Sequence, residues 1–351
     1  MRPETDTNLD GPAVRAWLYF LCLMIFAMIL VGGATRLTDS GLSITEWQPI
    51  LGIVPPMSES AWNEAFALYK QIPEYKIINQ GMSLDEFKSI YWWEWAHRFL
   101  GRMIGFAFLL PFLYFLFRQR LSRNLKPKLV VMFILGGLQG LLGWYMVQSG
   151  LVERTDVSQY RLAAHLSAAV LIFGYIFWVA IRLGKHGAPG SQTAANGKLT
   201  AMLLVTCIFV QIALGAFVAG LDAGQGYNTW PDMDGALIPD GLGAMSPWYL
   251  NLFENALTVQ FNHRIFAYAT VLLALLHATL FVKAPDNRKI KITGGMLLLV
   301  IWAQAALGIV TLLAKVPISL GLAHQGMAII VFVIALIHLS QLTPLPAQDP
   351  R

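Results

Sequence analysis

Four of the seven histidines in this chain stand at matched places in two successive stretches of sequence. His97 is followed by Arg98 and preceded at three residues by Glu94; His263 is followed by Arg264 and preceded at the same spacing by Gln260. His165 and His324 each follow an alanine, Ala164 and Ala323. Imidazole ligates transition metals and titrates near neutral pH. Two imidazoles facing one another across a helical bundle make a bis-histidyl haem site. The pairs this suggests are His97 with His165 and His263 with His324. Zinc fits less well, because no Cys, Asp or Glu lies in the opposite spans to complete a tetrahedral set. A single His near a span end is more often a hydrogen-bonded interfacial side chain, but four at repeated places are not explained that way.

The matched places differ at one chemically telling position. An i, i+3 spacing puts Glu94 on the face of His97 and Gln260 on the face of His263. A carboxylate takes or gives a proton, or steadies a developing cation; an amide does neither at ordinary pH. The N-terminal site is thereby expected to be reactive and the C-terminal one an electron-transfer station. The bland reading of Glu94 is an exposed carboxylate at a helix start, favoured there by the helix dipole. Because Gln260 holds the same place, an amide is expected to suit such a helix, and Glu94→Gln to leave the fold intact. Arg98 and Arg264 suit haem propionates through bidentate contact, whereas Arg102 is equally well explained by snorkelling to the interface. His186 reads as solvated. His277 and His338 each follow a ligand candidate by 14 residues, which spans about 21 Å of helix. A second, stacked haem there is the sharp reading, and packing the bland one; the N-terminal counterparts, Pro111 and Val179, do not repeat it.

The elements that position these residues are membrane spans. Hydrophobic residues make up 56% of the 351 and charged residues 13%, about half the charged share of a soluble domain. This excludes a soluble enzyme, a disordered chain and a nucleic-acid binder despite the net charge of +5. Apolar runs long enough to cross about 30 Å of hydrocarbon fall near 15–36, 96–117, 127–148, 162–183, 199–220, 259–281, 292–313 and 319–341. The expected fold is an all-α polytopic membrane protein with eight transmembrane helices in the lipid bilayer. Cys22 and Cys207 both lie inside spans, so no disulfide framework is expected. The acidic start of the chain is unlike a transit peptide, and a bacterial inner membrane is the simplest home. With both termini cytoplasmic, Lys and Arg concentrate in the cytoplasmic loops, and the long acidic, Trp-rich loops 37–95 and 221–258 face the periplasm. All four histidines then lie within a turn or two of the outer interface, beneath loops expected to cap them.

The chain also repeats itself. Asp39, Gly41, Trp47, Gly52 and Pro56 recur 183 residues later as Asp222, Gly224, Trp230, Gly235 and Pro239, and Gly32 as Gly215. Gln139 and Gly143 match Gln304 and Gly308 in the same order. Each half, 1–190 and 191–351, holds an even number of spans. Two tandem four-helix bundles related by a pseudo-two-fold axis along the membrane normal are the expected architecture.

With these residues in view, the chain resembles the haem A synthase family. The resemblance rests on Gly33-Ala34-Thr35-Arg36-Leu37-Thr38-Asp39-Ser40-Gly41-Leu42-Ser43, on Glu46-Trp47 through Pro55-Pro56, and on Phe87 to Arg98 with its Glu-x-x-His-Arg element. It runs from the first span to the eighth and is nearest the proteobacterial and mitochondrial branch, which lacks the outer-loop cysteine pairs of other members. The resemblance implies oxidation of the C8 methyl of haem O to the formyl of haem A, for cytochrome oxidase assembly. His97 and His165 would hold substrate haem O, His263 and His324 would ligate a resident haem b, and Glu94 would be the essential carboxylate. It further implies haem O supplied by a farnesylating haem O synthase, cytochrome oxidase assembly factors as partners and an electron acceptor such as quinone. The oxygen source, water or O₂, stays open. The main competing reading is a di-haem b-type cytochrome passing electrons from quinol; a transporter would want broken helices or midplane charges.

Overall fold

The computed structural model describes residues 9–48, 51–183, 192–282 and 288–343; His186 lies outside them. Ten α-helices follow one another: α1 (Pro12–Leu37), α2 (Glu59–Tyr69), α3 (Pro73–Ile77), α4 (Leu84–Phe117), α5 (Lys126–Glu153), α6 (Gln159–Arg182), α7 (Gln192–Gly220), α8 (Ala256–Val282), α9 (Arg288–Leu313) and α10 (Ile318–Leu342). All but α2 and α3 are long and apolar enough to cross a membrane. At 1.5 Å per residue, even a 24-residue helix reaches about 36 Å. The protein is therefore a multi-pass membrane protein, and its eight spanning helices contain the eight apolar runs read from sequence.

Proline and capping chemistry set the starts. Pro12 and Pro127 open α1 and α5 where a missing backbone N–H costs nothing. A capping box of Ser83 and Glu86 opens α4. The helix thus starts 12 residues before the apolar run at 96, so α4 projects from the bilayer and Glu94 sits in its third turn. The carboxylate is buried, 2% exposed, which removes the helix-start reading.

Contacts between α1, α4, α5 and α6 close one ring of four helices; contacts between α7, α8, α9 and α10 close a second. The rings meet along α1–α10, α6–α7 and α6–α10. At the last of these, a Cβ on Gly174 would come within 2.9 Å of Phe332 Cε1, so the glycine sets how closely α6 and α10 approach. Buried side chains concentrate on α1, α6 and α10, while α5, α8 and α9 turn residues such as Ile134, Leu138, Leu272, Leu276, Leu299 and Trp302 outward. That surface suits hydrocarbon and not water.

The first outer segment has its own core. Leu42, Phe66, Tyr69, Ile72, Phe87, Tyr91 and Val157 are buried together, with Phe66 stacked on Phe87 at 4.9 Å. Arg36, at the end of α1, ties this segment to its neighbours: its guanidinium contacts Asp39, Asp156 and Asp222 at 2.8–2.9 Å and donates to the Ala219 carbonyl. Asp39 and Asp222, repeat partners in sequence, share a left-handed backbone (φ 48 and 50).

Glu74 is also buried here, accepting from the Tyr69 hydroxyl, with its second oxygen unpartnered. Burial pushes its carboxyl from the usual 4.5 up to about 8, against the pull of the Tyr69 hydrogen bond. Because the folded value is the raised one, the stability this group contributes is full below 4.5 and is lost as pH rises through about 8. Proteolysis of the 57–85 segment should therefore quicken between about pH 6 and about pH 9, and Glu74→Gln should flatten the profile. Identical profiles for both proteins would refute this account.

Candidate functional site

His97 lies on α4 and His165 on α6 of the first ring; His263 lies on α8 and His324 on α10 of the second. The members of each pair are within electrostatic reach of one another. Each imidazole is half-buried and packs on a glycine of a neighbouring helix. A Cβ would come within 2.9 Å of His97 at Gly32, 2.8 Å of His165 at Gly143, 3.2 Å of His263 at Gly215 and 2.8 Å of His324 at Gly308. No side chain larger than hydrogen leaves these rings undisturbed. The four glycines were visible in the sequence as two repeated pairs, but nothing there assigned them to the histidines.

Glutamines hold three of the four. Gln139 Nε2 donates to the His165 carbonyl at 2.9 Å and lies 3.1 Å from its Nδ1. Gln304 repeats this at His324, at 3.0 and 3.2 Å. Gln211, on α7, donates to the His263 carbonyl at 3.0 Å and lies over the ring edge, 3.1 Å from its Nδ1 and 3.2 Å from its Nε2. Gln211 has no glutamine at the matching place of the first half and so gave no signal in the sequence. The Oε1 atoms of all three amides are buried without a partner. The end of each amide that faces the backbone carbonyl must be the NH₂, so each glutamine holds the turn of helix that carries the ring and leaves its own Oε1 unmet. Among the described residues no hydrogen bond occupies Nε2 of His97, His165 or His324, and no three His, Cys, Asp or Glu converge. Paired imidazoles with orphaned supporting carbonyls fit a haem held through two axial nitrogens.

Above each pair, an i, i+4 couple clasps the outer segment. Glu94 Oε2 accepts from Ser43 Oγ at 2.8 Å and from the Ile44 N–H at 2.7 Å, while Oε1 accepts from Arg98 Nη2 at 2.6 Å. Arg98 also donates to the carbonyls of Ile44 and Glu46. In the second ring Gln260 Nε2 donates to the carbonyls of Ala223 and Gly226, its Oε1 accepts from Arg264, and Arg264 donates to those of Tyr227 and Thr229. The loop residues Ser43, Ile44 and Glu46 correspond to Gly226, Tyr227 and Thr229 at the 183-residue offset, and Glu94 and Arg98 to Gln260 and Arg264 at an offset of 166. The polarity of the two clasps is reversed: the first segment presents donors to a carboxylate, the second presents carbonyls to an amide. The arginines expected to meet propionates are thus committed largely to these carbonyls, with Arg264 Nε still unpartnered. Arg102 reaches the Gln48 carbonyl.

The remaining histidines form a separate cluster. His277 and His338 face each other through Nε2 at 2.9 Å, with Thr200 and Thr293 on their Nδ1 atoms at 2.7 and 2.8 Å. An iron between two imidazole nitrogens needs about 4 Å, twice a metal–nitrogen bond of about 2 Å. The stacked haem is therefore set aside: these residues bond across α8 and α10 in the packed end of the second ring.

The fold and these sites define a class: a multi-pass helical membrane protein carrying two inward pairs of histidines, each under a clasped outer segment. Residues 15–336 match the family model COX15-CtaA, described as cytochrome oxidase assembly protein. Three similar proteins are named heme A synthase. That of Chelativorans sp. (strain BNC1) is 56% identical over 326 residues, covering 93% of this chain and 90% of the relative. Those of Parvibaculum lavamentivorans and Bradyrhizobium diazoefficiens are 52% and 54% identical, covering 97% and 96% of this chain and 96% and 94% of theirs. The chain belongs to this family of cytochrome oxidase assembly proteins.

The clasps generate a test that corrects the expectation of silent exchange. Glu94→Gln must place an NH₂ against either Arg98 or the Ile44 N–H, and Gln260→Glu must set a carboxylate against two carbonyls. Hydrogen bonds to charged groups are worth about 1.5–3 kcal/mol. Both exchanges should therefore raise the protease sensitivity of the adjoining outer segment several-fold, each in its own half. Cleavage rates unchanged from the parent protein would show that the clasps do not hold these segments.

Proposed function

We propose that this protein is a heme A synthase, oxidising the C8 methyl of haem O to the formyl of haem A for cytochrome oxidase assembly. The observation that carries the reading is the pair of matched histidine sites that differ at Glu94 and Gln260. The two rings act as tandem halves, 1–190 and 191–351, about an axis along the membrane normal. His97 and His165 hold the iron of substrate haem O. His263 and His324 would hold the iron of a resident haem b, which when bound would supply a one-electron carrier.

Oxidising a methyl to a formyl group takes up one oxygen atom, from water or O₂, passes electrons to the acceptor and releases protons from the carbon, so the N-terminal site needs a proton acceptor that its counterpart does not. Glu94 fills that role at its carboxylate oxygens, one turn from His97 and neutralised by Arg98. Gln260 cannot, and this asymmetry favours an enzyme over a cytochrome that only relays electrons. The clasped segments 37–95 and 221–258 cover the two sites and limit water. Arg264 Nε, a buried donor still unmet, is the candidate for a propionate; Arg98 serves its own site through Glu94 and the segment above. The basic-residue bias supports an inner-membrane protein with cytoplasmic termini and sites toward the periplasm. Haem O comes from the farnesylating haem O synthase, and a membrane quinone is the electron acceptor.

Haem extraction and chromatography from cells that supply haem O test the assignments. His263→Ala or His324→Ala should abolish bound haem b, while His97→Ala should leave most of it. Glu94→Gln should lower haem A formation by about 10²–10⁴-fold, the usual worth of general acid–base assistance, with haem b retained. Ser43→Ala loosens the same clasp but keeps the carboxylate, so it should cost far less. Equal losses from Glu94→Gln and Ser43→Ala would make Glu94 a clasp residue alone.

A further inference from the structure

The four histidines are not held equally. His165, His263 and His324 each have a glutamine on Nδ1 and on the backbone carbonyl, contributed by α5, α7 and α9. His97 has none: its Nδ1 is buried and meets no hydrogen-bond partner. The residue at the place of Gln211 in the first half, 183 positions earlier, is Met28. The register is secured by Gly32 and Gly215, four residues on, which pack on His97 and His263 respectively. Met28 points to the corresponding spot on α4, since a Cβ at Gly101 would lie 3.0 Å from Met28 Cε. Gly101 is one turn beyond His97, beside the carbonyl that Gln211 grips in the other half. A thioether fills that space and offers a weak acceptor at best.

Hydrogen-bonded neighbours fix a metal-ligating imidazole in orientation, as a glutamine on the carbonyl behind the ring does here, and losing such a partner typically costs 10–100-fold in metal affinity. Building on the proposed function, we propose that His97 is the ligand that releases the substrate iron, with His165 remaining fixed, and that Met28 at the place of Gln211 is what makes it releasable. A site that takes in haem O and surrenders haem A must open an iron–nitrogen bond at each turnover. The site of a resident haem must not. Two supporting glutamines serve the second pair and one the first, and the histidine left without one, His97, is on the helix that carries Glu94. Release at His97 frees the iron face next to the proposed proton acceptor and leaves His165 and Gln139 to keep the substrate in register. Met28 is a positioning residue in this scheme, acting only through His97.

The full-length protein, purified with both haems, allows a direct test without turnover. Haem is drawn off by excess apomyoglobin, and the haem O and haem b transferred are separated by chromatography. Carbon monoxide binding to the reduced protein reports an opened axial position. In the parent protein haem O should leave well ahead of haem b, and carbon monoxide should bind at the haem O site only. Met28→Gln should slow haem O release by about 10–100-fold and suppress carbon monoxide binding, without altering haem b. Gln211→Met should do the opposite in the second half, speeding haem b release by a similar factor and admitting carbon monoxide there. If Met28→Gln retains both haems yet releases haem O and binds carbon monoxide like the parent, the inference is overturned; should that variant not fold, Gln211→Met with unchanged haem b release overturns it alone. Failure of the underlying reading looks different, because the parent protein would then hold no bis-histidyl haem O that His97→Ala or His165→Ala perturbs.

Discussion

An imidazole inside a membrane-embedded bundle has no water to satisfy it, so whatever holds its ring and its Nδ1 decides whether it can serve as a ligand. At His165, His263 and His324 the requirement is met by a small and a polar residue on the adjoining helix, and at His97 by the small residue alone. A glycine lets the ring lie against the helix backbone, and a glutamine a turn away grips both Nδ1 and the carbonyl behind it. Helix spacing follows from this, since a Cβ at Gly32, Gly143, Gly215 or Gly308 would push the ring off its helix. The order of contacts around each ring then puts one histidine-bearing helix on either side of the space between.

The same economy governs the outer surface. Two long segments must stay folded over the bundle, the first with a core of its own, and each is anchored at its start by a side chain four residues before an arginine. Burying Glu94 is tolerable because it accepts three hydrogen bonds, one from a guanidinium. Gln260 reaches the same end with the polarity reversed. A negative charge is therefore present beside one histidine pair and absent beside the other, without any change in how the backbone is held. Between the two rings the hydrogen-bond pattern of the loop differs while the arrangement of the helices does not.

Much of this was legible in the sequence because the repeat exposes it. A constant offset of 183 survives where backbone geometry is demanding, as at Asp39 and Asp222, and the apolar runs mark the spans directly. The outward extension of α4 was not legible, because residues 84–95 are rich in Trp and charge and a hydropathy window reports only what lies in lipid. It matters, since it moves Glu94 from a helix start into a buried third turn. The helices α2 and α3 were missed for the same reason. The supporting glutamines were half visible: Gln139 and Gln304 show as a repeat without a role, while Gln211 has no partner and is silent. Arg36 was beyond reach, its three aspartates coming from segments 120 and more residues apart in part, with only Ala219 at its own repeat position. His277 and His338 shared the ligands' spacing, yet their threonines, which turn them into a hydrogen-bonded pair, lie on other helices.

Departures from the repeat carry more information than the repeat itself. Where both halves agree, at the glycines, the paired glutamines and the arginines, the shared residue answers a need common to both rings. Where they differ, one half has been released from that need or given another. Glu94 against Gln260 adds a titratable group; Met28 against Gln211 removes a support; Arg36 against Ala219 joins the halves at a single point that only one of them needs to supply. All three departures concern the first ring, and two of them bear on His97, one from α4 and one from α1. The second ring has a departure of its own in His277 and His338, which match Pro111 and Val179 in the first and serve packing. The two departures that meet at His97 are the ones on which the proposed division between a reacting site and a resident-haem site depends.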